Sequence, residues 1–398
     1  MTVIDEFTLI GRKNSLFDAD IRHWEEDLTR IVSNSRFLVL GGAGSIGRSV
    51  VKEIFRRDPV QLDVLDISEN NLAELVRDLR SSLGYIKGEF RTFALDIGSL
   101  EFDIFFANQD RYDFVLNLSA LKHVRSERDV YTLMRMIGVN IFNTEKTIRQ
   151  SIKKGVSKYF AVSTDKAANP VNLMGATKRI MEMYLVHLSE EIGVSTARFA
   201  NVAFSDGSLL DSFVHRLQKR QPIVAPTDIQ RYFLSLSEAG ELCLLSCVFG
   251  ENRDIFFPKI PAASGLIGFS EIAEKFLYAQ GLAPHYCESE EEARMMCEKP
   301  VSEGVWPCYF SSSDTTGEKA FEEFYIPGEQ IDWDRFPNIG VIKHLQYNNP
   351  ENLALFESQI LALRNEKNWE KQQILDIFHG LLTNFDHKET GKYLDEKM

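Results

Sequence analysis

The residues with the clearest chemical potential lie in one segment, residues 158–178, with the sequence KYFAVSTDKAANPVNLMGATK. Two hydroxyls, a carboxylate and an amine follow one another at Ser163, Thr164, Asp165 and Lys166. They come directly after the apolar run 159–162, which is typical of a strand buried on both faces of a parallel sheet. Because open α/β sheets bind ligands at the carboxyl ends of their strands, this segment predicts acid–base chemistry at a sheet edge.

A second pair of residues lies on the helix that we expect after Asn169 and Pro170. Met174 and Lys178 are four residues apart, so near the start of that helix they share one face. That face is expected to look back at the same sheet edge. Each residue taken singly could be an ordinary loop or surface residue, but their combination within 21 residues favours a catalytic site.

Three pieces of this segment, STDKA, NPVN and MGATK, carry a family resemblance. They resemble the active-site segment of extended short-chain dehydrogenase/reductases, and within that family the nucleotide-sugar 4,6-dehydratases acting on UDP-N-acetylglucosamine. Further matches extend from about Phe37 to about Ser246. The superfamily usually has a tyrosine four residues before the helix lysine, where this chain has Met174. Some dehydratases share that methionine, so the resemblance holds while the usual first base is missing.

A glycine-rich turn follows the first predicted strand, residues 37–40. Its glycines permit a tight bend, close approach of the backbone to a pyrophosphate, and tight packing of the next helix. A second strand, 62–65, ends in Asp66, whose carboxylate would accept hydrogen bonds from an adenosine ribose and repel a 2′-phosphate. The pattern therefore favours NAD over NADP. The cofactor-binding positions predicted in the turn are Gly41, Gly44, Ser45, Ile46 and Gly47.

The resemblance implies further contacts with both ligands. Asp96 and Ile97 would flank the adenine, and Lys178 would hold the nicotinamide ribose. The positions that would pass beside the cofactor are Leu118 and Ala120. The implied substrate-binding positions are Lys122, Asn201, Arg231 and Glu318.

Two of these positions have a clear physical role. Asn201 lies in a segment resembling the family's RFGNV and would hydrogen-bond the diphosphate or the sugar. Arg231 lies in a segment resembling TRYF and offers a planar charged fork suited to phosphate. Glu318 belongs to a GEK segment, but Thr315 stands where relatives commonly carry a phosphate-binding arginine. The nucleotide base of the substrate therefore stays open.

The resemblance also implies a reaction. In a 4,6-dehydratase, NAD⁺ accepts hydride from carbon 4 of the sugar, water is eliminated across carbons 5 and 6, and the hydride returns to carbon 6. Thr164 would bind the carbon 4 oxygen, Lys166 would be the base at carbon 5, and Asp165 the acid at carbon 6. Lys178 would lend positive charge to developing oxyanions.

Catalysis by this scheme needs a neutral lysine and a protonated aspartate, whereas contact between them would stabilise both charged forms. We therefore expect Asp165 and Lys166 to share a proton as a coupled pair. Met174 has no proton to exchange. Our hypothesis is that Asp165, directly or through a water held by Thr164, deprotonates the carbon 4 hydroxyl.

Bulk composition excludes other classes of partner. The formal net charge of −13 over 398 residues argues against nucleic acid and anionic membranes. No run approaches the roughly 18 apolar residues of a membrane span, and the acidic N-terminus resembles no secretion signal, so we expect a cytoplasmic protein. The chain has five cysteines, an odd number, and no Cys-x-x-Cys pair. This pattern favours reduced thiols over disulfides or a zinc site. The expected partners are UDP- or GDP-linked N-acetylglucosamine and further copies of the chain.

We predict an α/β fold in four parts. These are an N-terminal helical extension (1–35), a Rossmann-type doubly wound NAD-binding domain (36–200), a smaller substrate-binding portion (201–345) that partly returns to the core, and a C-terminal helical extension (346–398). Apolar residues at helical spacing mark both extensions. We expect the first to dock on the main body or on a partner subunit, with packing on the body favoured. We expect the second to cap the substrate portion or to form a dimer contact.

The predicted function is that of an NAD-dependent nucleotide-sugar 4,6-dehydratase, a lyase of polysaccharide or nonulosonic acid biosynthesis. Two alternatives stay open. A nucleotide-sugar epimerase would share the fold, the cofactor and the first hydride step. A catalytically silent NAD-binding module is the other, because the usual tyrosine is missing. The sequence also leaves open the configuration at carbon 5 of the product.

Overall fold

The structure is a computed structural model that describes residues 5–260, 265–298, 304–313, 322–343 and 349–387. The helices in these residues are α1 Glu6–Leu9, α2 Asp18–Val32, α3 Ser45–Phe55, α4 Glu69–Ser82, α5 Leu100–Asn108, α6 Val130–Ile137, α7 Asn143–Lys154, α8 Leu173–Leu188, α9 Leu209–Gln218, α10 Leu236–Phe249, α11 Phe269–Ala279, α12 Glu290–Glu298, α13 Pro350–Arg364 and α14 Lys371–Leu381. The strands are β1 Arg36–Leu40, β2 Gln61–Asp66, β3 Glu89–Ala94, β4 Phe114–Asn117, β5 Lys158–Thr164, β6 Gly193–Phe199, β7 Asn201–Val202, β8 Ile223–Pro226, β9 Gln230–Arg231, β10 Phe233–Leu234, β11 Asp254–Pro258, β12 Ile267–Gly268, β13 Ala283–Tyr286, β14 Val305–Ser311, β15 Ile331–Asp332 and β16 Ile339–Ile342.

The centre of the fold is a nine-stranded sheet in the order β15-β16-β11-β6-β5-β4-β1-β2-β3. The seven strands from β3 to β11 run parallel, and β16 and β15 extend the other edge in antiparallel pairing. Strand order reverses between β1 and β4, which is where open α/β sheets form a ligand crevice at their carboxyl ends. The predicted doubly wound sheet is confirmed.

Helices cover both faces of this sheet, which explains its continuous apolar strands. Along β1, Phe37 and Val39 belong to a core formed with α3, α4 and α10, while Leu38 and Leu40 belong to a core formed with α5, α7 and α8. Alternate residues of a strand point to opposite faces, so every position is buried when both faces are covered. β5 is the middle strand of the nine, so residues at its carboxyl end lie at the centre of that edge of the sheet.

β5 is longer than the sequence predicts. We expected its apolar run to end at Val162, but the strand continues through Ser163 and Thr164. It continues because it pairs with β6 to the end, with Thr164 opposite Phe199. The polar residues therefore begin within the strand, and Thr164 is held by the sheet.

The N-terminal helix α2 docks on the main body, as expected. Leu28 and Val32 are fully buried against the α3 and α10 side of the core. The Trp24 ring packs against Phe249, with ring centroids 4.6 Å apart. The predicted amphipathic helix is confirmed.

The two C-terminal helices, α13 and α14, pack on the helices of the main sheet. Phe356 and Phe378 form a T-shaped pair, and both belong to a buried cluster with residues of α6 and α8. In the described part of the chain this extension therefore covers the outer side of α8 instead of the substrate portion. The helical spacing predicted the buried residues but could not say which surface they contact.

The chain after β6 builds smaller sheets, β10-β7, β12-β9 and β13-β14-β8, while β11, β15 and β16 rejoin the main sheet. The proposed division at residues 200 and 345 stays a prediction. No helix in the ranges that the structure describes is long and apolar enough to cross a membrane.

Candidate active site

The turn between β1 and α3 has the geometry of a dinucleotide cradle. Gly41 has φ +73°, and a Cβ there would lie 2.8 Å from the backbone nitrogen of Ser119. A Cβ at Gly47 would collide with the carbonyl oxygen of Gly41. The turn therefore requires glycine at both positions. Gly44 precedes the first residue of α3, Ser45, and no side chain caps this helix start, where backbone N–H groups favour an anion.

The Asp66 carboxylate lies beside this turn. Its Oδ2 accepts a hydrogen bond from the backbone N–H of Ala43 at 3.0 Å, and its Oδ1 accepts one from Ser68 at 2.9 Å. These bonds fix the carboxylate at the end of β2. Because an ionised carboxylate has about four lone-pair sites, both oxygens can accept further hydrogen bonds from ribose hydroxyls.

The other predicted cofactor positions lie on loops at the same edge of the sheet. Asp96 is exposed and its Oδ1 accepts from the backbone N–H of Gly98 at 2.8 Å, while Ile97 is buried. The backbone N–H of Leu118 donates to the Leu40 carbonyl at 2.8 Å, which holds the chain leading to Ala120 against β1. Both loops follow strands adjacent to the cradle, β3 beside β2 and β4 beside β1.

The three residues predicted to carry the acid–base chemistry meet at one oxygen atom. Asp165 Oδ1 accepts hydrogen bonds from Thr164 Oγ1 at 2.8 Å and from Lys166 Nζ at 3.2 Å. Asp165 is buried, whereas the Lys166 side chain is 28% exposed. A 3-10 turn over Asp165–Ala167 directs these side chains after the strand ends. The two residues expected to share a proton are therefore in contact.

Lys178 lies on α8, and its side chain contacts β5. Its amine donates a hydrogen bond to the carbonyl of Val162 at 2.9 Å, so it sits against β5 two residues before Thr164. Burial lowers the pKa of Lys178 to about 8, and the negative charge of Glu182 partly opposes this shift. The amine is thus a cation that can lose its proton near physiological pH.

Met174 is buried, with 5% exposure, in the cluster that joins α6, α8 and the C-terminal helices. Its backbone N–H donates to the buried carboxylate of Glu127 at 2.8 Å. The side chain of Asn172 caps the same helix through the N–H of Gly175. These contacts anchor the helix start that carries Met174 and Lys178.

A buried ion pair that the sequence analysis missed joins the end of β6 to α8, and β5 is joined to it through Ser163. Arg198 and Glu182 are joined by two hydrogen bonds of 2.8 and 2.7 Å, and Ser163 Oγ donates to Glu182 at 2.6 Å. Burial alone would raise the pKa of Glu182, but the charge and hydrogen bonds of Arg198 lower it. Glu182 lies four residues after Lys178, and this helical spacing was the available signal.

The predicted substrate residues Asn201 and Arg231 converge on a residue that the sequence analysis did not identify, Glu322. Glu322 Oε1 accepts hydrogen bonds from Asn201 Nδ2 at 3.1 Å and from the backbone N–H of Tyr232 at 3.2 Å. Arg231 Nε lies 3.9 Å from the same oxygen. The only sequence signal was an acidic pair, Glu322 and Glu323, a few residues after the GEK segment.

Glu322 connects this group to the acid–base cluster. Burial raises the pKa of Glu322, and the negative charge of Asp165 adds to the rise, while the Tyr232 hydrogen bond and Arg231 oppose it. The neighbouring Glu323 accepts a hydrogen bond at 3.3 Å from Asn169, four residues after Asp165. Residues 322 and 323 therefore lie beside the loop that follows β5.

Two predicted substrate residues are not joined to this site by a described contact. Lys122 is exposed on the loop after β4. Glu318 lies outside the described residues. Within the described ranges, no group of three or more histidine, cysteine or acidic side chains is placed to hold a metal ion.

Comparison with known proteins gives a family match over most of the chain. The family described as polysaccharide biosynthesis protein matches residues 37–344. An uncharacterized membrane protein of Methanocaldococcus jannaschii is 28% identical over 355 residues, covering 87% of this chain and 97% of that protein. A UDP-glucose 4-epimerase of Rickettsia bellii is 28% identical over 339 residues, covering 82% and 94%. A UDP-N-acetylglucosamine 4,6-dehydratase (inverting) of Campylobacter jejuni is 30% identical over 239 residues, covering 58% and 68%.

Solved structures share the fold. Pen from Bacillus thuringiensis superimposes with a TM-score of 0.62 at 22% identity, covering 83% of this chain and 98% of that chain. The dTDP-glucose 4,6-dehydratase DesIV from Streptomyces venezuelae, solved with NAD bound, has a TM-score of 0.52 at 18% identity, covering 75% and 93%.

Proposed function

The chain belongs to the polysaccharide biosynthesis protein family, and we propose that within it the chain acts as an NAD-dependent nucleotide-sugar 4,6-dehydratase. The substrate is UDP- or GDP-linked N-acetylglucosamine, and the product is the 4-keto-6-deoxy sugar nucleotide. The observation that carries this proposal is the convergence of Thr164 and Lys166 on Asp165 Oδ1. Elimination needs a base and an acid in addition to hydride transfer, and this cluster offers both.

The cradle around Gly41 and Gly47 fits a dinucleotide. Neither position has room for a Cβ atom, and a backbone without side chains can come close to a pyrophosphate. The start of α3 would bind the pyrophosphate and Asp66 the adenosine ribose. The NAD-containing DesIV structure, which shares this fold, supports the assignment. Bound there, NAD would supply the hydride acceptor for carbon 4 and the hydride donor for carbon 6.

The chain's own residues manage the protons. Thr164 binds the carbon 4 oxygen, and Asp165 receives the proton of that hydroxyl. Lys166 then removes the proton from carbon 5, while Asp165 gives its proton to the departing carbon 6 hydroxyl, which leaves as water. Lys166 finally returns its proton to carbon 5, so both residues end as they began.

Lys178 supports the first step electrostatically. Its buried amine lies against β5 two residues before Thr164, and as a cation it stabilises negative charge developing on the carbon 4 oxygen. It also holds the nicotinamide ribose. Asn201 and Arg231 bind the diphosphate, with the arginine supplying a fixed positive charge.

A nucleotide-sugar 4-epimerase is the second candidate. The Rickettsia epimerase match covers 82% of this chain, whereas the Campylobacter dehydratase match covers 58%. An epimerase would use the same cradle and the same first step but would not lose the carbon 6 hydroxyl. The Asp165–Lys166 pair favours elimination.

Proton NMR of reaction mixtures distinguishes the candidates. The purified protein is incubated with NAD and either UDP- or GDP-N-acetylglucosamine. A new methyl doublet from a 6-deoxy sugar supports the dehydratase. A carbon 4 epimer with its hydroxymethyl group intact identifies an epimerase, and retention of NAD without any conversion identifies a catalytically silent NAD-binding module.

A further inference from the structure

Glu322 occupies a position built to hold an anion. Three groups with positive ends surround its Oε1: the Asn201 amide, the Tyr232 backbone N–H and the Arg231 guanidinium. The side chains of Glu322 and Arg231 are only 7% and 12% exposed. A single oxygen with a fixed cation and two hydrogen-bond donors around it has the surroundings of a bound phosphate oxygen.

The donors are those that the proposed function assigns to the substrate. Asn201 and Arg231 would bind the diphosphate of a sugar nucleotide, yet here both contact Glu322 Oε1. A diphosphate oxygen and this carboxylate oxygen therefore compete for the same donors.

We propose that Glu322 is an internal anion that holds the diphosphate position in the absence of substrate and is displaced when a sugar nucleotide binds. The inference rests on the proposed function, because it takes a nucleoside diphosphate group as the ligand. It goes beyond that function by assigning Glu322 a role in affinity and selectivity. A ligand must bring enough negative charge to replace the carboxylate, so neutral sugars are excluded.

The placement of Glu322 is supported from the core. Two residues later, the carbonyl of Phe324 accepts a hydrogen bond from Arg198 at 2.8 Å, and Arg198 is itself paired with Glu182. The segment is thereby anchored to the buried network beneath the site. Its anchoring leaves the Glu322 side chain directed at the predicted substrate residues.

Burial and the negative charge of Asp165 both oppose the charged form of Glu322. Release of this carboxylate from its buried position offsets part of the free energy needed to displace it. In this exchange the diphosphate replaces the Glu322 carboxylate at the same hydrogen-bond donors. The Arg231 charge therefore has an anion beside it both before and after the substrate binds.

The neighbouring residue provides a matched control. The Glu323 carboxylate accepts a hydrogen bond from Asn169 Nδ2 at 3.3 Å. Glu323→Gln makes the same change in charge and size one position away. Calorimetric titration with UDP, and in parallel with GDP, is carried out on NAD-saturated wild type, Glu322→Gln, Glu322→Ala and Glu323→Gln.

If the Glu322 carboxylate occupies the diphosphate position about nine-tenths of the time, the apparent affinity for a nucleoside diphosphate is weakened about tenfold. We therefore expect both Glu322 variants to bind the nucleoside diphosphate about tenfold more tightly than wild type, with Glu323→Gln within about twofold of wild type. Equal or weaker binding by the Glu322 variants would overturn the displacement role and leave the dehydratase proposal intact. Tighter binding without any 6-deoxy product would support displacement and refute the dehydratase. Absence of UDP and GDP binding in every protein would overturn both.

Discussion

The guanidinium of Arg198 and the carboxylate of Glu182 form two hydrogen bonds, at 2.8 and 2.7 Å, with both side chains buried in the core. The pair joins the end of β6 to α8 one helical turn beyond Lys178. Ser163, next to Thr164, donates to the same carboxylate. Glu182 therefore ties α8 to the ends of both β5 and β6, next to the predicted catalytic residues Thr164 and Lys178.

Glu182→Gln should destabilise the protein by about 3 kcal/mol. The buried Arg198 guanidinium loses its doubly hydrogen-bonded partner and keeps only Glu329, whose Oε2 lies 3.5 Å away. Urea unfolding measures the change. A triple variant, Glu182→Leu with Arg198→Leu and Glu329→Gln, removes all three buried charges and should be more stable than the single variant. A loss below about 1 kcal/mol in Glu182→Gln would contradict the assigned role of the pair.

The rate of carbon 4 oxidation should fall as pH rises through about 8. Burial lowers the pKa of Lys178 to about 8, and its cationic form, which stabilises the oxyanion, is lost above that pH. Lys178→Arg keeps the charge at high pH, so its rate should be lower but should not fall in the same range. Single-turnover rates between pH 6 and 10 measure this, and a wild-type rate that is constant up to pH 10 would exclude the assignment.

Asp66→Arg should weaken NAD binding and improve binding of NADP. The substitution removes the ribose acceptor beside the Ala43 N–H and introduces a charge that attracts a 2′-phosphate. Calorimetric titration with each dinucleotide measures the shift. Asp376→Arg, on the exposed face of α14, is the control. If Asp66→Arg leaves both affinities unchanged, Asp66 does not belong to the cofactor site.

Lys166→Ala should block elimination while carbon 4 oxidation continues. The base for carbon 5 is missing, but the Thr164–Asp165 contact and Lys178 remain. Stopped-flow absorbance should detect transient NADH, and proton NMR should detect no 6-deoxy product. Turnover close to that of wild type would remove Lys166 from the mechanism.

The elements that depend on local patterns were predictable from the sequence. The glycine turn with Asp66 and the cluster from Thr164 to Lys166 are each encoded within about 30 consecutive residues. Their spacing therefore carried enough information. The predicted end of β5 was two residues too early. The apolar pattern reports which residues are buried, but not that the polar residues Ser163 and Thr164 still pair with β6.

The features that the sequence did not reveal depend on contacts between distant segments. Asn201 and Glu322 are separated by 121 positions, and no local signal indicates that their side chains meet. For the C-terminal helices, the amphipathic pattern predicted the buried residues Phe356 and Phe378 but not the surface of α8 that they cover. An amphipathic pattern defines a buried face and does not identify its partner.

The central claim is that Asp165, and not the residue in the usual tyrosine position, takes the proton from the carbon 4 hydroxyl. Met174 is buried in an apolar cluster and has no proton to exchange, so Met174→Ala should reduce the rate through lost packing by about 10-fold. Asp165→Asn should reduce it by roughly 10²- to 10⁴-fold, as is typical of a general acid–base group.

Single-turnover NADH formation in Asp165→Asn, with Met174→Ala as the matched comparison, tests this claim most directly. The enzyme is saturated with NAD⁺ and mixed with the sugar nucleotide, and absorbance is followed before any water is lost. The account predicts that NADH formation itself slows far more in Asp165→Asn than in Met174→Ala. NADH formation at the wild-type rate in Asp165→Asn, followed by a block at water loss, would contradict it and require another group to deprotonate the carbon 4 hydroxyl.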